Sequence, residues 1–184
     1  MTSHNQRIKD KRMVHNRLKF IALNIVLLTV SDTRTTANDT SGDTLEELAT
    51  QAGHKVVTRH ICKDDIYAMR AAVSAWIAAP DIHVVISTGG TGMTERDSTP
   101  EALIPLFDRQ VDGFGELFRQ LSHAEIGSST VQSRCCAGLA NNTLIFCLPG
   151  SPGACKTAWN GILKEQLDAA HRPCNFVGQT GAGQ

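Results

Sequence analysis

The stretch Ile82-His83-Val84-Val85-Ile86-Ser87-Thr88-Gly89-Gly90-Thr91-Gly92 carries the decisive pattern of this 184-residue chain. A short apolar run passes without a break into three glycines among four residues. Such a run is expected of a strand buried on both faces, the habit of parallel sheets covered by helices. The glycines let backbone N–H groups approach an anion with no Cβ in the way. Thr88 and Thr91 add hydroxyl donors. No Gly-Lys-Ser/Thr follows, so this is not a Walker A loop, and Glu95 stands where Gly-x-Gly-x-x-Gly needs its last glycine. Taken alone, the loop reads either as a tight turn or as a phosphate cradle.

The same logic extends in both directions. Residues 20–31 make a near-continuous apolar first strand, followed by a polar loop over Asp32–Asp43. Leu45, Leu48 and Ala49 give helical spacing over Thr44–Gln51, with Gly53 as the stop, and Lys55–Ile61 reads as a second strand. Asp64 or Asp65 caps a helix running to Ala79, with Ile66, Met69, Val73, Trp76 and Ile77 along one face. Pro100 opens another helix, and Gly113–Ala124 is helical. Ser133–Leu139 and Thr143–Leu148 read as strands joined at Asn141-Asn142, with a final helix over Ala154–Ala170. This alternation predicts a three-layer α/β/α fold with a mainly parallel sheet and a C-terminal β-hairpin-like pair. Ligands in such folds bind at the carboxyl ends of strands, which singles out loops 32–43, 88–98 and 149–153.

Composition agrees with a globular domain: 41% hydrophobic and 20% charged residues, with 18 basic against 18 acidic. The charge balance argues against a nucleic-acid binder, which carries a basic excess. Residues 1–19 hold six basic residues against Asp10 alone, a local +5 that leaves −5 elsewhere. The expected organisation is a basic, disordered arm over 1–17, a domain over 18–177 and a flexible tail over 178–184. The apolar run at Phe20–Val30 lacks a small-x-small cleavage site and is too short for a bilayer, which takes ~20 residues. No membrane partner is expected, and the location expected is cytoplasmic. None of the six cysteines forms Cys-x-x-Cys, and most lie in apolar stretches as reduced core thiols.

Several acids flank these loops. Asp97, just past the glycines, either caps the next helix or holds a Mg²⁺ that bridges phosphates. Asp64-Asp65 ends the second strand, where capping and a shared magnesium site with Asp97 are both open. Asp32, Asp39 and Asp43 form a third acidic group. Pro149-Gly150-Ser151-Pro152-Gly153 presents a hydroxyl and a helix N-terminus, a second anion site. The seven histidines show no catalytic or metal-binding spacing.

Thr29-Val30-Ser31-Asp32-Thr33-Arg34, Asp39-Thr40-Ser41-Gly42, Thr88–Gly92 with Arg96-Asp97, and Leu148-Pro149-Gly150-Ser151-Pro152 occur in that order. Together they resemble the MoaB/Mog family of molybdenum cofactor biosynthesis over roughly residues 18–177. Gln132-Ser133-Arg134 and Arg172-Pro173-Cys174-Asn175-Phe176 are similar to its MoaB branch. The resemblance implies a homotrimer or homohexamer that adenylylates molybdopterin with Mg-ATP, releasing pyrophosphate. It implies catalytic and Mg²⁺-holding roles for Asp64 and Asp97. It also implies substrate or phosphate contacts at Ser31, Asp32, Ser41, Gly42, Thr88, Gly89, Gly90, Thr91, Gly92, Pro149, Gly150 and Ser151. A non-catalytic molybdopterin-binding or assembly protein is the alternative. One departure stands out: where members often have Val-Pro-Asp-Asp, this chain has Cys62-Lys63-Asp64-Asp65, with the acids kept.

Overall fold

The computed structural model describes residues 19–182. The basic arm expected over 1–17 lies outside the described residues. Six strands form one sheet: β1 (Asn24–Val30), β2 (Lys55–Cys62), β3 (Val84–Thr88), β4 (Arg109–Gln110), β5 (Cys136–Ala140) and β6 (Thr143–Leu148), in the order β2-β1-β3-β6-β5-β4. The pairs β1–β2, β1–β3 and β3–β6 are parallel; β5–β6 and β4–β5 are antiparallel. The principal helices are α1 (Thr40–Gln51), α2 (Ile66–Ala78), α3 (Thr99–Leu103), α4 (Asp112–Ile126) and α5 (Pro152–Ala158).

The chain steps from β1 outward to β2, then back past β1 to β3. Right-handed crossovers put the helices of these two opposite steps on opposite faces of the sheet. Alternation along β1 serves both faces. Ile25 and Leu27 pack with Leu45 of α1, Phe114 and Phe118 of α4, and Trp159. Val26, Leu28 and Val30 pack with Met69 and Val73 of α2 and with Ala102 and Leu103 of α3. Every residue of β3 and β6 is buried, as the apolar runs imply.

Local chemistry moves several boundaries. The loop expected over 32–43 ends early, because the Asp39 side chain accepts from the Gly42 amide and starts α1 at Thr40. Asp65, rather than Asp64, caps α2, accepting from the Ala68 amide. The expected helix 154–170 begins at Pro152, passes through a π turn at Trp159–Leu163 and ends at Gln166. Two-residue β4 has no apolar alternation to betray it; it pairs with Leu139 and Gly138. Asn141 and Asn142 both adopt positive φ, closing the β5–β6 hairpin as a primed turn. Residues 178–182, expected as tail, turn back onto the domain: Thr180 is buried and Ala182 packs on the core. Among the described residues, no helix is long and apolar enough to cross a membrane.

Two histidines hold the entry to β1. His54 Nδ1 accepts from the Leu23 amide at 3.2 Å, and His83 Nδ1 accepts from the Asn24 amide at 2.9 Å. Burial lowers both pKa values below the ordinary 6.5, with Asp168 and Asp81 respectively opposing the shift. The unfolded chain therefore binds these protons more readily. The stability they contribute is complete above pH ~6.5 and is lost as pH falls through the lower folded values. Urea midpoints measured from pH 8 to 5 should fall on the acid side. A His54→Asn variant, whose amide oxygen still accepts but does not titrate, should lose part of that slope.

Candidate functional site

β1 and β3 are neighbours whose chain connections run to opposite sides, a topological switch point with a crevice at the strands' carboxyl ends. The glycine loop sits in that crevice. Gly89 has φ +101°, and a Cβ there would lie 2.2 Å from the Val30 carbonyl oxygen at the end of β1. Gly90 has φ +65°, and its Cβ would meet Thr99 Oγ1 at 2.3 Å and Asp64 Oδ2 at 2.8 Å. A Cβ at Gly92 would lie 2.7 Å from Asp97 Oδ2. The loop therefore has glycine because backbone and two carboxylates crowd it, quite apart from any ligand.

Asp64, at the end of β2, and Asp97, in the glycine loop itself, thus border the same few residues of backbone. Asp64 accepts from the Ser98 amide at 3.1 Å and from the Ser98 hydroxyl. Asp97 accepts from the Thr94 amide at 2.9 Å and hydroxyl at 2.6 Å. Partial burial works to raise the Asp97 pKa, but the Thr94 donors, the Gly92 amide and the Arg134 charge outweigh it, so the carboxyl sits below its ordinary value. It is ionised at neutral pH. Among the described residues no three His, Cys, Asp or Glu side chains converge to hold an ion. Two carboxylates suit Mg²⁺, which typically takes one or two from the protein and completes its shell with waters and substrate phosphates.

Across from the carboxylates lies the turn after β6. A cleft of about 350 Å³ is lined by Gly89–Gly92, Asp97, Gln132, Ser133 and Pro149–Ser151. Ser151 caps α5, its Oγ accepting from the Ala154 amide at 3.2 Å, which leaves its O–H free to donate into the cleft. Ser133 Oγ is buried beside the cleft and, beyond a loose approach to the Cys135 thiol, lacks a hydrogen-bond partner.

Other residues picked out from the sequence support this cleft from behind. The Thr88 hydroxyl, expected as a ligand donor, is buried and donates to the Pro149 carbonyl at 2.9 Å. The Gly89 amide donates to Leu148 O at 3.0 Å. Ser41 donates to the Gly150 carbonyl at 2.8 Å, and the Gly42 amide is taken by Asp39. Ser31 accepts from the Thr33 and Arg34 amides. Asp32 pairs with Arg96 at 2.5 Å and receives a long contact from the Asp64 amide at 3.4 Å, tying together the loops after β1, β2 and β3. Of the acidic group 32, 39 and 43, only Asp32 is at the site. Asp39 is buried, accepting from Thr29 and paired with Arg59, and Asp43 pairs with Arg59 too.

Arg134 was visible in the sequence only as part of a family motif, and its role here is larger. Its amide donates to Thr91 O at 3.0 Å and its Nε to Gly92 O at 2.7 Å. One terminal nitrogen reaches the Asp97 carbonyl and the other the Glu101 carboxylate. One planar guanidinium thereby holds both ends of the turn carrying Asp97. No local spacing signals this, because the partners lie 33–43 residues away along the chain.

The family model described as a probable molybdopterin binding domain matches residues 26–169. Molybdenum cofactor biosynthesis protein B of Escherichia coli (strain K12) is 60% identical over 158 residues, covering 86% of this chain and 93% of that protein. The protein of the same name from Bacillus subtilis (strain 168) is 42% identical, covering 77% and 84%. A crystal structure of molybdenum cofactor biosynthesis protein B matches with TM-score 0.77 and 44% identity over 79% of this chain and 91% of that one. The tungsten cofactor synthesizing protein MoaB from Pyrococcus furiosus matches with TM-score 0.68 and 34% identity over 78% and 92%.

Gly89→Ala should destabilise the protein by more than about 1 kcal/mol, since positive φ and the Val30 carbonyl both oppose a methyl group. Arg134→Ala should cost about 1–3 kcal/mol through its lost hydrogen bonds. Urea unfolding midpoints check both.

Proposed function

The chain belongs to the probable molybdopterin binding domain family, and on that premise we propose that it adenylylates molybdopterin with Mg-ATP in molybdenum cofactor biosynthesis. The role in that pathway follows from family membership. The specific reaction is supported chiefly by one observation: Asp97 and a serine-capped helix start line one glycine-floored cleft, and Asp64, from the end of β2, stands against Gly90 of the same floor.

In the reaction, an oxygen of molybdopterin's terminal phosphate attacks the α-phosphorus of ATP. The bond from that phosphorus to the β-phosphate oxygen breaks, and pyrophosphate leaves. Such transfers need positioning and charge neutralisation rather than an activated side-chain nucleophile. Asp64 and Asp97 would hold Mg²⁺, which offsets charge on the ATP phosphates. The amides of Gly90 and Thr91 are suited to the nucleotide phosphates, and the Ser151 hydroxyl with the α5 N-terminus to the pterin phosphate. The orphaned Ser133 hydroxyl is a further donor for a ligand in the same cleft. Exposed Val131, Ile126 and Leu117 support assembly into a trimer or hexamer, and six free thiols suit the cytoplasm.

A second reading, a non-catalytic molybdopterin-binding protein, draws on the fact that Ser98 and Thr94 already satisfy part of each carboxylate. Purified protein with molybdopterin and Mg-ATP decides between them. Adenylylated product and pyrophosphate are expected from the parent chain. Asp64→Ala and Asp97→Ala should each abolish pyrophosphate release while leaving molybdopterin binding largely intact. Molybdopterin binding by the parent without product would leave the binding-protein reading.

A further inference from the structure

We propose that Cys136 and Cys147 form a reversible cross-strand disulfide when the protein meets a peroxide or a low-molecular-weight disulfide, linking thiol redox state to the geometry of the cleft. The two residues are register partners in the β5–β6 hairpin. Partners across antiparallel strands point to one face, and both pack into the core layer beneath α2 and α3. The hairpin closes through Ala140 and Thr143, so alternation of pair types makes Cys136–Cys147 a hydrogen-bonded pair. Their Cα atoms then lie about 5.5 Å apart, within the range disulfides accept, although such pairs hold Cβ atoms wider than disulfides prefer. A bond formed there carries strain and is readily reduced again.

The remaining thiols are poorly placed to compete for either sulfur. Cys135 and Cys155 belong to the opposite core layer. Cys62 is on β2, three strands from β6, which is about 14 Å across the sheet. Cys174 is exposed in the C-terminal segment.

Access and reactivity assign the order of events. Cys136 is half-buried and borders a cleft of about 350 Å³ shared with Gln110 and Arg119, whereas Cys147 is 0% exposed. The neighbouring Cys147 thiol, with Arg134 and Arg119 nearby, holds the Cys136 thiol below its ordinary range against the opposing effect of burial. Contact with Cys136 and burial keep Cys147 protonated. With hydrogen peroxide, the Cys136 thiolate attacks one oxygen, the O–O bond breaks and hydroxide leaves, giving a sulfenic acid. Cys147 then attacks that sulfur and loses its proton, the S–O bond breaks, and water leaves. With glutathione disulfide, two successive exchanges release two glutathione thiols.

Both cysteines abut the cleft's supports. Cys147 precedes Leu148, whose carbonyl holds the Gly89 amide, and Cys136 follows Arg134 by two residues. Drawing the sulfurs together shifts both strands at the points that anchor the glycine loop.

The test is peptide mapping of the full chain under non-reducing conditions after treatment with hydrogen peroxide or glutathione disulfide. The expected product is a Cys136–Cys147 linked peptide with the loss of two hydrogens, reversed by dithiothreitol and retained in Cys174→Ser. Cys136→Ser should abolish it, and amide exchange over residues 89–92 should change on oxidation in the parent chain and in Cys174→Ser but not in Cys136→Ser. A chain whose thiols stay unlinked, or link only as Cys135–Cys136 or through Cys174, overturns the proposal. So does a linkage that leaves exchange at 89–92 unchanged. Mapping of the parent chain decides the linkage even if a variant folds poorly, and it does not depend on the adenylyl-transfer reading.

Discussion

The approach of the Gly89 backbone to the Val30 carbonyl sets the arrangement of everything around the site. With no side chain at Gly89, β3 turns immediately beyond its last hydrogen bond and lies over the end of β1. The same turn leaves Gly90 and Gly92 with backbone where a side chain would otherwise stand. Two carboxylates occupy that space, one from the end of β2 and one from the loop itself. A residue with a Cβ at any of the three would push the loop off the sheet or the acids off the loop.

Charge at the cleft is a matter of arrangement rather than excess. Arg96 pairs with Asp32, and Arg134 pairs with Glu101 and reaches the Asp97 carbonyl, so each cation is committed to protein partners. The arginines therefore hold loops in place. Neutral net charge in the whole chain is compatible with a strongly polar site of this kind. The cost is that loop geometry depends on remote elements: Arg134 on the approach to β5, Ser41 on α1, and Thr88 buried under Pro149.

Much of this was legible in the amino-acid order. Apolar runs at 82–87 and 143–148 read as strands, and the structure has strands at Val84–Thr88 and Thr143–Leu148, buried throughout because a strand covered on both faces needs no polar alternation. Asn141-Asn142 gave away the hairpin because few residues tolerate positive φ. The start of α1 was misplaced because Asp39 is one polar residue among many, and only the Gly42 amide arriving at its carboxylate makes it a cap. The Thr88 hydroxyl looked like a ligand donor because local sequence does not reveal a carbonyl 61 residues away.

By itself, then, the sequence determined the strand and helix alternation, the mainly parallel sheet and the family. These depend on hydrophobic period, turn residues and short motifs, all of which act within a few residues of chain. The tertiary structure alone decided which polar atoms face the cleft and which are consumed in holding it, and it singled out Arg134 and the Cys136–Cys147 pairing. Those depend on contacts between residues far apart in the chain, and a hydrogen bond's direction exists only once both partners have been brought together.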